Sequence, residues 1–149
     1  MKKVIFLILI IISATANAQP YVLMGAVNNG VQVGIGALAS NVDIQLRYQR
    51  PVFNLESPTI TSFTIGRMIN LTGNDEDNFT VTPSIGYAHL KSKDFTQYNS
   101  EDKITNVELF KAVYGLEVGK DWFMGRASIT YSYSDKSYLG ATIRFFFSR

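Results

Sequence analysis

The 149-residue chain has no cysteine, one histidine, one tryptophan and four prolines. Without thiols there is no disulfide framework and no thiolate metal or redox site. A single histidine, His89, is too few for a metal centre of its own, and no cofactor is expected. Long hydrophobic runs are also missing. The longest, Val4 to Ile12, is nine residues, against the roughly 20 that a membrane-spanning helix needs. No useful length of the chain carries the 3.6-residue period of an amphipathic helix.

That short run does have the setting of an export signal. Met1-Lys2-Lys3 is positive, Val4 to Ile12 is apolar, and Ala16-Asn17-Ala18 has the small-x-small form of a cleavage site. We therefore expect a secretory signal over residues 1–18 and one mature domain over 19–149. Lys2 and Lys3 leave with the signal, so 12 of the 14 basic side chains remain against 12 acidic ones. A formally neutral, exported domain without a basic stripe is not expected to bind nucleic acid.

What the sequence has in abundance is alternation. Eight segments read as strands: Tyr21 to Val27, Val31 to Ala39, Val42 to Gln49, Ile60 to Leu71, Phe79 to Leu90, Asn106 to Gly119, Phe123 to Tyr133 and Tyr138 to Phe147. Asn28-Asn29-Gly30, Ser40-Asn41, Lys120-Asp121 and Ser134 to Ser137 have hairpin-turn composition. The expected fold class is all-β, an eight-stranded antiparallel up-and-down barrel built as a meander.

Along six strands one face is apolar. It includes Val31, Val33, Ile35; Ile44, Leu46; Val81, Ile85; Leu116, Val118; Ile129; and Leu139, Ile143. The opposite face holds the charge. Two architectures share this pattern: a bilayer-spanning barrel with its apolar face outward, and an exported lipocalin-like barrel with that face inward around an apolar ligand.

Three features favour the first. Most segments approach or exceed the 9 to 11 residues a transmembrane strand needs. With a periplasmic N-terminus, the longest connections, residues 50–58 and 91–105, both fall outside, as in such barrels, although residues 72–78 make a longer inner turn than expected. Aromatic residues sort into two levels, Tyr21, Phe79, Phe123, Phe145 and Phe147 at one end and Tyr48, Tyr87, Phe110, Tyr131 and Tyr133 at the other, as headgroup belts require.

On this pattern the chain resembles the small eight-stranded outer-membrane barrels, such as outer-membrane protein X and the transmembrane domain of outer-membrane protein A. The final strand, Tyr138 to Phe147, looks like the terminal signal read by the barrel-assembly machinery, although Ser148 and Arg149 follow its last aromatic residue. The resemblance implies a bacterial outer-membrane location, lipid as the surrounding partner and a non-enzymatic role. That role is structural, or adhesive through contacts of the outer loops with an extracellular protein or surface.

The candidate lumen residues are Asp43, Arg47, Lys111, Glu117, Arg126 and Arg144, read as a polar network filling the barrel, with an ion path as the functional alternative. Arg67 falls on the apolar face by count, so either a bulge near Gly66 turns it inward or it snorkels toward headgroups; the bulge is the expectation. Some barrels of this kind modify lipid A with serine and histidine, which makes His89, near Asp94, Tyr98 and Ser100, a third reading. A charged lumen and the lack of a Gly-x-Ser-x-Gly or His-x-Ser element weigh against it. Phe95 and Tyr98, in the Lys91 to Thr105 segment, are the candidate surface contacts, because strands running past the membrane would offer a free edge.

Overall fold

The computed structural model describes residues 18–28, 30–52, 58–72, 78–98, 101–122, 125–134 and 136–147, with the backbone alone between 92 and 107. The expected signal and cleavage site lie almost wholly outside them. Nine strand segments run antiparallel: β1 (Gln19–Val27), β2 (Gly30–Ala39), β3 (Val42–Pro51), β4 (Thr59–Arg67), β5 (Ile69–Asn70), β6 (Phe79–Tyr98), β7 (Glu101–Trp122), β8 (Gly125–Tyr133) and β9 (Ser137–Phe146). β4 and β5 are two parts of one stave, so the barrel has eight. Each stave pairs with the next in sequence, and β1 pairs with β9 to close the ring. Closure leaves no sheet edge within the barrel wall.

Local chemistry sets the turns. Ala39 pairs with Val42 across Ser40 and Asn41, both in the left-handed region at φ 46° and 70°. That is the two-residue hairpin whose twist matches the flanking strands. The turn expected at Lys120-Asp121 is not there, because β7 continues to Trp122 and pairs it with Gly125. The sequence expectation missed this because Lys and Asp have turn composition; here they extend the ladder instead.

The break between β4 and β5 is not a bulge. Gly66 pairs with Ser84 and Ile69 with Val81, three residues further along both strands, so no residue has been inserted. Between those pairs Pro83 stands opposite Arg67, and proline has no N–H to give the ladder. The phase of the stave is therefore unchanged and Arg67 stays on the exposed, outward face, contrary to the expected inward turn. It pairs with Val42, beside the β2–β3 turn. Its place near the end of the barrel lets the long side chain reach a polar interface.

The segment expected as a loop, 91–105, is for the most part a continuation of the sheet. β6 pairs with β4 only as far as Lys91, and β7 with β8 only as far as Tyr114. Beyond those points the two strands, 20 and 22 residues long, pair with each other up to Tyr98 and Glu101. At about 3.4 Å per residue the hairpin runs roughly 24 Å past Lys91. Residues 92–98 and 101–113 each have one backbone edge outside the barrel pairing.

The barrel thus has a terminal end, where the start of β1 lies beside the end of β9, and a hairpin end. The Ser40-Asn41 turn after β2 and the Trp122–Gly125 pair that ends the β7–β8 ladder lie at the terminal end. The β6–β7 projection, the end of β3 at Pro51 and the start of β4 at Thr59 lie at the hairpin end.

Candidate functional site

Closure of the ring decides which face is inside. Val31, Val33, Ile35, Leu46, Ile85, Leu116, Val118, Ile129, Leu139 and Ile143 all point outward and are exposed. Soluble monomers rarely expose contiguous apolar surface beyond a few hundred Å², whereas a bilayer solvates such a band. The lipocalin-like arrangement requires the opposite orientation and is not the one adopted.

Inside, charged residues of β3, β7 and β9 converge although they are distant in sequence. Arg144 on β9 is fully buried and places Nη1 2.7 Å from Asp43 Oδ2. Its Nη2 donates to Glu117 Oε2, on β7. Arg47 Nη2 donates to the same Glu117 oxygen at 3.0 Å, and its Nε to Gln45 Oε1 at 2.5 Å. Gln45 in turn donates to Asp43 Oδ2 at 2.5 Å. The result is a continuous network in which one guanidinium bridges two carboxylates, the arrangement that offsets the desolvation of buried charge.

Tyr21 completes this layer and corrects the expectation that placed it among the outward aromatics. Its hydroxyl donates to Asp43, its ring lies under the Arg144 guanidinium at 4.8 Å, and its side chain is buried. Gly36, on the neighbouring strand, makes room for that ring, since a β-carbon there would meet the Tyr21 Cζ and hydroxyl. β1 is apolar on both faces, with Tyr21, Leu23 and Val27 inward and Met24 outward. Alternation therefore could not fix its phase.

Arg126 and Lys111 stand apart from that network. Arg126 makes a two-pronged pair with Asp121, Nε to Oδ1 at 2.6 Å and Nη2 to Oδ2 at 3.1 Å, nearer the terminal end. Lys111 is half-buried on the inward phase toward the hairpin end, opposite Ala88 and six residues along β7 from Glu117.

Above the ionic layer lies one that sequence reasoning missed. Ile60, Ala88, Leu90, Val113 and Tyr138 form a buried apolar cluster inside the hairpin end. These residues sit on the inward faces of β4, β6, β7 and β9, where the polar alternation breaks down. Those local exceptions were the available signal. A cavity of about 40 Å³, bordered by Gln32, Arg47, Gln49, Glu117, Ile60 and Tyr138, lies against both layers. It has room for a few water molecules at most.

Of the expected belt residues, Tyr48, Phe79, Tyr87, Phe110, Tyr131, Tyr133, Phe145 and Phe147 are outward and exposed, as are Phe63 and Tyr114, which the sequence reading did not single out; Phe123 lies outside the described residues. Trp122, not singled out from the sequence, packs edge-on against Phe145 at 6.4 Å near the terminal end. At the hairpin end His89 also points outward. It stacks on Phe110 at 4.6 Å between ring centroids, and its Nε2 lies 3.3 Å from Glu108 Oε2. Lys91 pairs with the other Glu108 oxygen at 3.2 Å. The histidine is therefore part of an exterior rim and does not face the lumen. The side chains of Asp94, Phe95, Tyr98 and Ser100 lie outside the described ones. Among the described residues no group of three His, Asp or Glu side chains is placed to hold a metal ion.

No protein-family model matches the chain. No curated protein matches it either. Solved structures do share its fold. The N-terminal β-barrel domain of Pseudomonas aeruginosa OprF superposes with a TM-score of 0.64 at 16% identity, covering 87% of this chain and 97% of that one. The Yersinia pestis outer membrane protein Ail, in a phospholipid bilayer nanodisc, superposes with a TM-score of 0.55 at 12% identity, covering 87% and 99%. At these identities the likeness establishes the barrel fold.

Proposed function

We propose that the chain is a non-enzymatic integral protein of a bacterial outer membrane, with its lumen closed and its working surface the β6–β7 hairpin. The observation that carries this reading is the pairing of an apolar, aromatic-rimmed exterior with a charged, internally hydrogen-bonded interior. An eight-stranded barrel is just wide enough for side chains to fill, and here a salt-bridged layer and an apolar layer fill it in series. In this reading Tyr48, Tyr87, Phe110, Tyr131 and Tyr133 lie toward one headgroup level, Phe79, Phe145 and Phe147 toward the other, and the lumen network is a structural plug.

The terminal end is periplasmic in this proposal, because in such barrels the long projections lie on the outer side and the β6–β7 hairpin projects from the opposite end. The hairpin then projects from the cell. Its unpaired edges offer backbone donors and acceptors to an extended segment of a surface protein, the geometry of strand addition. Phe95 and Tyr98 belong to that projection. The final strand, β9, is the element through which the barrel-assembly machinery would receive the chain.

A hairpin shortened by joining residue 93 to residue 106 through a two-residue turn tests the assignment. The shortened protein is expected in the outer-membrane fraction with unchanged heat-dependent gel mobility. Cells carrying it should adhere to host-cell monolayers no better than cells lacking the protein, while the full chain raises adherence. Equal adherence by both forms would assign the contact elsewhere or remove the adhesive role.

The closed lumen makes its own prediction. In a planar lipid bilayer the full chain should give no discrete conductance steps, since the small cavity lies between packed layers. Regular steps from purified protein would show that the network opens and would favour the ion-path reading.

A further inference from the structure

The exterior is not uniformly convex. Across β7, β8, β9 and β1 an apolar groove of about 850 Å³ follows a diagonal of small side chains. Lys120 pairs with Ala127, Ala127 with Ile143, Ala141 with Ile129, and Ala141 with Ala26. Ala127 and Ala141 therefore lie on one diagonal, while Ile129 and Ile143 stand on the other as walls. Three interstrand steps of about 4.8 Å and one two-residue advance give a floor roughly 16 Å long. That is comparable with half of the roughly 30 Å hydrocarbon core, the depth of one leaflet.

The groove also has a charged end. Lys120 is exposed two residues from the end of β7, with its ammonium 5.3 Å from the centroid of the Phe79 ring. A long alkyl chain fits an open apolar furrow of this length, and an anion fits its lysine end. A flat barrel wall from a second copy would leave the floor unfilled.

We propose that an anionic phospholipid of the leaflet at the terminal end binds here, its phosphate on Lys120 and one acyl chain along Ala127, Ala141 and Ala26. This rests on the membrane reading above, and its orientation makes that leaflet the periplasmic one. Lys120 supplies headgroup preference through charge, and the alanine floor supplies retention by contact with the chain.

The test uses the full-length mature barrel reconstituted in vesicles of equal phosphatidylethanolamine and phosphatidylglycerol, then released for native mass spectrometry with retained lipids identified. Heat-dependent mobility of the same samples reports separately whether the membrane reading holds. A single lysine near an anionic headgroup corresponds to about a fivefold preference, so phosphatidylglycerol should be retained about fivefold over phosphatidylethanolamine. Lys120→Gln should bring that ratio to about one. Ala141→Leu, which fills the floor, should remove retained lipid of either kind. Arg67→Gln, near the same end of the barrel but on β4, should change nothing. Equal retention of both lipids by the unaltered barrel would overturn the proposal. So would a preference that survives Lys120→Gln, one lost equally with Arg67→Gln, or lipid retention untouched by Ala141→Leu in a folded barrel.

Discussion

Replacing Ile129 with arginine should destabilise the folded barrel by about 2 to 4 kcal/mol in a bilayer, although the side chain is 64% exposed. In a water-soluble protein a surface exchange of this kind stays within about 0.5 kcal/mol. The sign of the expectation depends on the solvent outside. Ile129 lies mid-strand on β8, between Val118 on one side and Ala141 on the other. An arginine there is far from either end of the stave and cannot easily carry its charge to a headgroup. Urea-driven unfolding in lipid vesicles measures the difference, with Ile129→Leu as the near-neutral control. A tolerated Ile129→Arg, with the protein recovered soluble from the periplasm, would remove the bilayer from the account altogether.

The second large effect is expected inside. Arg144→Met keeps much of the side-chain volume but strips Asp43 and Glu117 of the guanidinium that bridges them. Two buried carboxylates then share one remaining ion pair, Arg47 with Glu117. Breaking a buried pair by removing one partner costs about 3 to 5 kcal/mol, because the charge left behind is uncompensated. Arg47→Met should cost clearly less, since Glu117 would still hold Arg144 and the Arg47 side chain is 16% exposed. The same unfolding measurement ranks the two. If Asp43→Asn combined with Glu117→Gln recovers most of the stability lost in Arg144→Met, the loss was one of unpaired charge. A failure to recover would assign it to packing around the Tyr21 ring instead.

These effects fall on residues that were legible to different degrees. Ile129 and its neighbours stood out because β8 and β9 alternate cleanly. Asp43, Arg47, Glu117 and Arg144 were recognisable as one face, but their connections were not. Asp43 and Arg144 are 101 positions apart, and nothing in either local stretch says that closing the ring brings β3 and β9 within reach of each other. Tyr21 was misplaced because β1 is apolar on both faces, so period two carried no phase. Arg67 was given a bulge because an arginine among apolar neighbours looked like a slip in register. The cause of the break was Pro83, on the partner strand, where a missing donor interrupts the ladder without moving it. The apolar layer of Ile60, Leu90, Val113 and Tyr138 went unseen because each residue alone was a small exception to its own strand.

The sequence by itself determined the strands, most of their turns and the separation of an apolar face from a charged one. All of these follow from interactions between residues near one another in the chain, where the two-residue period is written directly. Only the tertiary structure decided that the apolar face looks outward, that Tyr21 joins the ionic layer, that Arg67 stays outside, and that an apolar layer lies above the salt bridges. Those outcomes depend on closing eight staves into a ring, which fixes every strand's phase against its neighbours and brings distant charges within hydrogen-bonding distance.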